Sequence, residues 1–261
     1  MAGISEWPYE FNEISWWSNW AATSWLDENS YVMLSEEFDE YFFNRGGLVR
    51  LDAARFADEI RRMEEKFTDA SRRPYLFVQN HSLPPTVPET LAKEHYRVVD
   101  QMSVMEAAKS LPFRVNPDVR VEVDLDRRQA EEWTTTYLDA FYGERGPLAV
   151  VTRIVEKVSS VKEASLVLAT LRGQPAGVLA LFRTGEICGV YCVGTSPGSR
   201  GAHVASTMLK VAMDVAAGER RKLVLQTILS DSVEALYTKL GFERLYLKDL
   251  FAKGTGGLEE G

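Results

Sequence analysis

The chain has 261 residues, 45% hydrophobic and 26% charged, a composition that excludes a largely disordered or collagen-like polymer. Its net charge of −8 sits at the front: residues 1–117 carry 12 Lys/Arg against 19 Asp/Glu, and residues 118–261 carry 18 against 19. Such an acidic balance suits a cationic substrate and excludes generic nucleic-acid binding, which needs basic surface.

No run approaches the roughly 20 apolar residues of a membrane span. The start Met1-Ala2-Gly3-Ile4-Ser5-Glu6 lacks the basic and apolar stretches of a secretory leader. Cys188 and Cys192 stand four residues apart and make no disulfide framework. The chain therefore reads as a cytoplasmic protein with no membrane partner.

The first 25 residues hold Trp7, Trp16, Trp17, Trp20 and Trp25. A segment this aromatic would leave a large apolar patch in water. Packing between two halves of the chain is the expected outcome; a wall or lid over an acceptor pocket, or a homodimer contact, are the alternatives. Residues 40–51 read as a strand. Asp52 then caps a helix with Phe56, Ile60, Met63 and Phe67 on one face. A strand at 74–79, a helix at 87–95 and a strand at 96–105 complete a β-α-β-α-β half.

The second half is more clearly punctuated. Val119–Val123 is a strand, and Asp126 caps a helix with Ala130, Trp133, Tyr137, Leu138 and Phe141 on one face. A second helix follows Pro147. Strands at 165–171, 176–182 and 187–193 are separated by short Gly-containing gaps and form an antiparallel meander. After Pro197, a helix starts at about Arg200, with Val204, Met208, Val211, Ala212 and Val215 as its buried stripe. A strand at 222–227 follows. Asp231 and Glu234 form a capping box for a helix that places Val233, Leu236, Tyr237 and Leu240 together, and Gly241 ends it. A last strand covers 242–251. The order β-α-α-β-β-β-α-β-α-β contains the order of the first half, which predicts a degenerate duplication.

The segment Val193-Gly194-Thr195-Ser196-Pro197-Gly198-Ser199-Arg200-Gly201-Ala202-His203-Val204-Ala205-Ser206 carries the chemistry. A strand ends, a small-residue loop follows, and a helix begins. Unpaired N–H groups and the positive end of the helix dipole make such a corner an anion site, and Arg200 adds charge. An ordinary strand–turn–helix corner is the competing reading. A Rossmann site fails because no G-x-G-x-x-G follows a strand, and two cysteines with three scattered histidines form no zinc set.

This segment resembles the acetyl-CoA loop of the GNAT acetyltransferases, Arg/Gln-x-x-Gly-x-Gly/Ala, with Arg200 first and Ala205 last. His203 stands where the family has Gly. Leu236-Tyr237-Thr238-Lys239-Leu240-Gly241-Phe242 resembles the family's other signature, Tyr-x-x-x-Gly-Phe. Ser230 stands where the family often has an Asn that bonds the CoA arm. The resemblance spans roughly residues 118–252. It implies a mixed α+β GNAT fold with a mostly antiparallel sheet: a degenerate first domain over 1–117, an acetyl-CoA domain over 118–252 and a loose tail over 253–261.

The resemblance also implies acetyl-CoA as cosubstrate, held by Cys192, Val193, Gly194 and Thr195 on the strand edge, by Arg200, Gly201, Ala202, His203, Val204, Ala205 and Ser206 in the loop, and by Ser230 and Tyr237. No metal enters. A backbone N–H near Val193 would serve the oxyanion. Tyr237 is the candidate general acid, because a phenol is protonated at pH 7; a packing role on its apolar helix face is the alternative. No general base is visible: Glu131, Glu132, Asp139 and Glu144 read as solvated helix charges, His81 and His95 lie in the other half, and His203 faces CoA. Cys192, mid-strand among aliphatic neighbours, reads as a structural thiol and not a nucleophile. The expected activity is transfer of an acetyl group to a primary amine, of a small molecule or a protein, by direct attack in a ternary complex. A non-catalytic acyl-CoA-binding regulatory protein is the alternative.

Overall fold

The computed structural model describes residues 7–28, 30–48, 55–79, 86–108, 114–143 and 146–254. Among them are seven α-helices and eleven strands, which form a single sheet. In chain order these are α1 (Trp7–Trp17), β1 (Ala22–Trp25), β2 (Ser30–Leu34), β3 (Arg45–Leu48), α2 (Phe56–Asp69), β4 (Tyr75–Gln79), α3 (Thr86–Lys93) and β5 (Tyr96–Ala107). They continue as β6 (Val119–Val123), α4 (Arg127–Phe141), α5 (Leu148–Ser159), β7 (Ala164–Leu171), β8 (Gln174–Thr184), β9 (Ile187–Thr195), α6 (Val204–Gly218), β10 (Lys222–Ile228), α7 (Glu234–Lys239) and β11 (Phe242–Lys253). No helix among the described residues is long and apolar enough to cross a membrane.

The strand order is β1-β2-β3-β4-β11-β5-β10-β9-β8-β7-β6. It reads nearly the same from either end. β3 and β4 are a parallel pair with α2 between them in sequence, and β9 and β10 are a parallel pair with α6 between them. The other neighbours are antiparallel. At the centre β5 lies between β11 and β10, and β11 lies between β4 and β5. Each half thus inserts its last strand into the other.

The second half has the element order that its apolar spacing predicts. Asp126 accepts from Gln129 N at 2.9 Å in a complete capping box, and Pro147 precedes α5. The first half differs from the sequence reading in two places. α1, β1 and β2 precede the first expected strand. Residues 41–43 form a turn, and only Arg45–Leu48 is strand. Asp52 lies outside the described residues, as does the tail from 255 onward.

α1 joins the halves through polar residues. Asn12 donates to Phe182 O at 3.0 Å and Thr184 Oγ1 at 2.8 Å, and Tyr191 donates to Asn12 Oδ1 at 2.6 Å. A Cβ on Gly189 would lie 2.1 Å from that Asn12 oxygen. Next to it is a fully buried ionic cluster. Glu13 pairs with Arg45 of β3 at 2.8 Å and with Lys248 of β11, which also reaches Glu10 at 3.3 Å. Tyr246 donates to Glu10 at 2.6 Å. Burial pushes the Glu13 carboxyl up, but Lys248 and Arg45 pull it further down, so it stays ionised. Trp16 and Trp20 pack beside this cluster: Trp16 stacks on Tyr191 at 5.1 Å, and Trp20 contacts Phe43 of the first half and Tyr137 of the second.

Candidate active site

The parallel pairing of β9 with β10 stops early. It runs from Ile187–Lys222 to Val190–Leu225, while β9 continues to Thr195 and β10 to Ile228. Beyond that point β9 is held by β8 and β10 by β5, so their facing edges separate. The register of β8 with β9 jumps from Ala180–Tyr191 to Val178–Gly194, one residue extra in β9. This is a β-bulge. Cys192 sits in it with φ +54, a left-handed conformation that a side chain rarely adopts. Leu179, opposite the bulge, has its carbonyl capped by the Trp133 indole N–H at 3.0 Å. Strand divergence and bulge together leave the backbone of Tyr191–Thr195 without a strand on its β10 side.

The segment after β9 corrects the expected helix start. Pro197–Ser199 is one 3-10 turn, and α6 begins at Val204, four residues later than expected. Gly201 has φ +81, and His203, at the N-cap, has φ +58. His203 thus takes a left-handed backbone conformation that suits glycine, with its side chain in solvent. Thr207 N donates to His203 O at 3.0 Å as the first helical bond, so the N–H groups of Val204, Ala205 and Ser206 have no carbonyl in the turn before them. The loop is braced from behind: Asn116 Nδ2 donates to Ala202 O at 2.9 Å, and Ser206 Oγ donates to Arg114 O at 2.6 Å. The exposed Arg200 guanidinium lies 3.4 Å from Thr195 O and 3.3 Å from Ala140 O.

Between the separated strands is a cleft of about 290 Å³. Cys192, Val193 and Tyr237 all line it. Tyr237 belongs to the core on the α6–α7 side, while Tyr137 and Tyr191 belong to the core on the α1–α4 side. The opening therefore joins both layers through the sheet. Burial, with the Asp231 carboxylate nearby, pushes the Tyr237 phenol up to about 12. It is a firmly protonated donor. Burial raises the Cys192 thiol well above its ordinary value and the Cys188 thiol to about 11, so neither is a thiolate nucleophile at neutral pH.

Ser230 lies apart from the loop. It is exposed and donates its hydroxyl to Asp100. Asp231 does not cap α7: Val233 is the N-cap without a side-chain bond, and Glu234 is held by Arg244 in two contacts of 2.7 Å. The Asp231 carboxyl instead lines the cleft, raised by partial burial and by Asp100. Glu131 and Glu132 pair with Arg127 and Arg128 on the outer face of α4, and Asp139 is exposed. Glu144 and His81 lie outside the described residues.

Trp17, Glu40, Phe42 and Phe43 of the first half, and Phe141 and Tyr142 of α4's end, complete the cleft wall. Sequence reading did not single out Glu40 or Tyr142. The available signal was the run Glu40-Tyr41-Phe42-Phe43, an acid beside three aromatics.

The sequence pattern of the acetyltransferase (GNAT) family matches residues 123–242, which contain the bulge, the loop and Tyr237. Solved structures share the architecture over nearly the whole chain. A GCN5-related N-acetyltransferase from Kribbella flavida has a TM-score of 0.70 at 15% identity, covering 98% of this chain and 96% of its own. One from Sphaerobacter thermophilus has 0.66 at 13%, covering 88% and 82%. A tandem GNAT protein from the clavulanic acid biosynthesis pathway has 0.58 at 13%, covering 98% of both chains. These likenesses concern the fold. No curated protein matches the sequence. By fold and by sequence pattern, residues 123–242 are a domain of the GNAT acetyltransferase family.

Proposed function

We propose that the protein is an acetyl-CoA-dependent N-acetyltransferase that acts on a primary amine by direct attack in a ternary complex. One observation supports this above the others: the opened edge of β9 and the protonated Tyr237 line one cleft that passes between the sheet's two layers, and the same strand runs on into the loop of residues 200–206. Such a passage lets an acyl donor and an amine meet from opposite sides.

In this reading the N–H groups of the loop and of α6's first turn hold the diphosphate, with Arg200 adding charge. Cys192, Val193, Gly194 and Thr195 offer a strand edge to the extended arm. The Val193 N–H donates to the carbonyl oxygen as the tetrahedral intermediate forms. Tyr237 donates to sulfur. Because its phenol lies above an ordinary thiol near 8.5, it serves first as a hydrogen-bond donor to the forming thiolate and yields its proton only as charge builds there. Residues 1–117 are, on this reading, a degenerate copy that keeps the strand order and lacks the loop; residues 118–252 bind acetyl-CoA, and 253–261 are a tail. Calorimetric titration then gives one acetyl-CoA site per chain, and two sites would contradict the assignment. Thiol release from acetyl-CoA in the presence of an amine panel tests the activity. Acetyl-CoA binding with no release on any amine would favour a non-catalytic acyl-CoA binder.

A further inference from the structure

We propose that the acceptor is a small cationic amine on an apolar body that bears no acidic group, selected by Glu40 and Asp231 across the aromatic cleft. The inference rests on the acetyltransferase assignment and adds the acceptor class.

Glu40 and Asp231 are the charged side chains among the described residues that line the cleft, and these include no Lys or Arg. Glu40 belongs to an acidic stretch in which Glu37 pairs with Arg153 and Asp39 with Arg72. Glu40 instead accepts from the neutral Tyr142 hydroxyl at 3.3 Å. Asp231 has no cationic partner among the described residues. The groups that act on it are Asp100 of β5, Tyr41 before β3 and Tyr237 of α7.

Between the two carboxylates the wall is aromatic. Trp17 lies 5.8 Å from Phe42 and 6.1 Å from Tyr191, and Tyr137 lies 4.9 Å from Phe141. Aromatic faces attract an ammonium group and cover an apolar body. A carboxylate in the same space would meet two like charges, with no guanidinium or ammonium among the described lining residues to offset them. At about 290 Å³ the cleft lies at the lower end of small-molecule pockets. In the transfer, the nitrogen–carbon bond replaces the carbon–sulfur bond. The ammonium gives up its proton to water or a cleft carboxylate, and the thiol leaves protonated.

Two probes differ by a single carboxylate: 2-phenylethylamine and phenylalanine. Acetylation of each is followed by thiol release, with acetyl-CoA binding measured in parallel by thermal shift. The expected result is a kcat/KM about 100-fold or more higher for 2-phenylethylamine, with that preference cut about tenfold in Glu40→Gln through KM. Glu40 is exposed, so the variant folds. Equal or better use of phenylalanine would overturn the acceptor class and leave the acetyltransferase assignment standing. Acetyl-CoA binding with release on neither probe would overturn it as well. Absence of any acetyl-CoA shift would remove the assignment itself, and this inference with it.

Discussion

The two halves of the molecule share much of a strand order, but among the described residues the cleft between separated parallel strands lies in the second half. In the second half, β9 runs five residues beyond its last partner in β10, bulges at Cys192 and leads into a loop of small residues. In the first half, β3 has four residues and pairs with β4 over Gly46–Leu76 to Leu48–Val78. The space over it is filled: a Cβ on Gly46 would lie 2.8 Å from Met63 Sδ, and one on Gly47 would lie 2.6 Å from the Tyr31 hydroxyl. Among the described residues one parallel pair opens, and the other is packed over by Met63 and Tyr31. A sheet of one topology thus supports a site in one half, while the other half supplies wall and anchor. Trp17, Glu40 and Phe42 face the opening, and Arg45 meets Glu13 in the seam.

The seam is the first place to break this division. Lys248→Met leaves Glu10 and Glu13 buried with Arg45 as their cation, and removing one partner of such a cluster costs about 3–5 kcal/mol. Chemical denaturation of both proteins reads it. The sign with pH follows from Glu13, whose carboxyl titrates below its ordinary range in the folded chain. Its contribution is present above the unfolded value, near 4.3, and lost as pH falls through the folded one. In Lys248→Met, acid neutralises the stranded carboxylates, so the gap to the parent protein narrows below about pH 4.5. A constant gap would exclude the cluster as the cause. Next, Gly189→Ala forces Asn12 from its place on β9 and costs about 1–3 kcal/mol by overpacking. Unchanged stability would show that α1 docks without that contact.

Two substitutions sharpen the second half's role. Tyr237→Phe lowers kcat about tenfold or more with little change in acetyl-CoA affinity; unchanged kcat would leave Tyr237 a packing residue against Phe242, whose ring lies 5.9 Å away. The smallest effect is expected at His203. Its φ of +58 suits glycine, and the loop offers backbone N–H there, so His203→Gly changes acetyl-CoA affinity by less than about threefold. A larger loss by titration would give the imidazole a role of its own.

Much of the second half was legible because its elements bury apolar residues at regular spacing between Gly and Pro breaks. The start of the first half was not, because its interior is partly polar; the helices and strands from Phe56 to Ala107 were. α1 buries Glu10, Asn12 and Glu13, whose partners Arg45, Lys248, Thr184 and Tyr191 arrive from distant strands. No local period announces such a helix. The loop and the Tyr237 signature were visible as residue patterns; the bulge at Cys192 was not, since it depends on the register of β8 against β9. Asp231 and Glu234 had capping-box spacing, but Arg244 takes Glu234 and Asp231 turns to the cleft. Glu40 and Tyr142 meet across 102 residues, a pairing that only the joined sheet creates.

The most direct measurement is thermal unfolding with and without acetyl-CoA, on the parent chain and on Arg200→Glu. Arg200 is exposed, and among the described residues its hydrogen bonds go to the backbone carbonyls of Thr195 and Ala140, so the substitution spares the fold. At about 100 times its Kd a ligand stabilises by about 2.7 kcal/mol, roughly 5–10 °C for a protein of this size. A shift of that order in the parent, lost in Arg200→Glu, is the predicted result. No shift at millimolar acetyl-CoA would contradict the site in the second half.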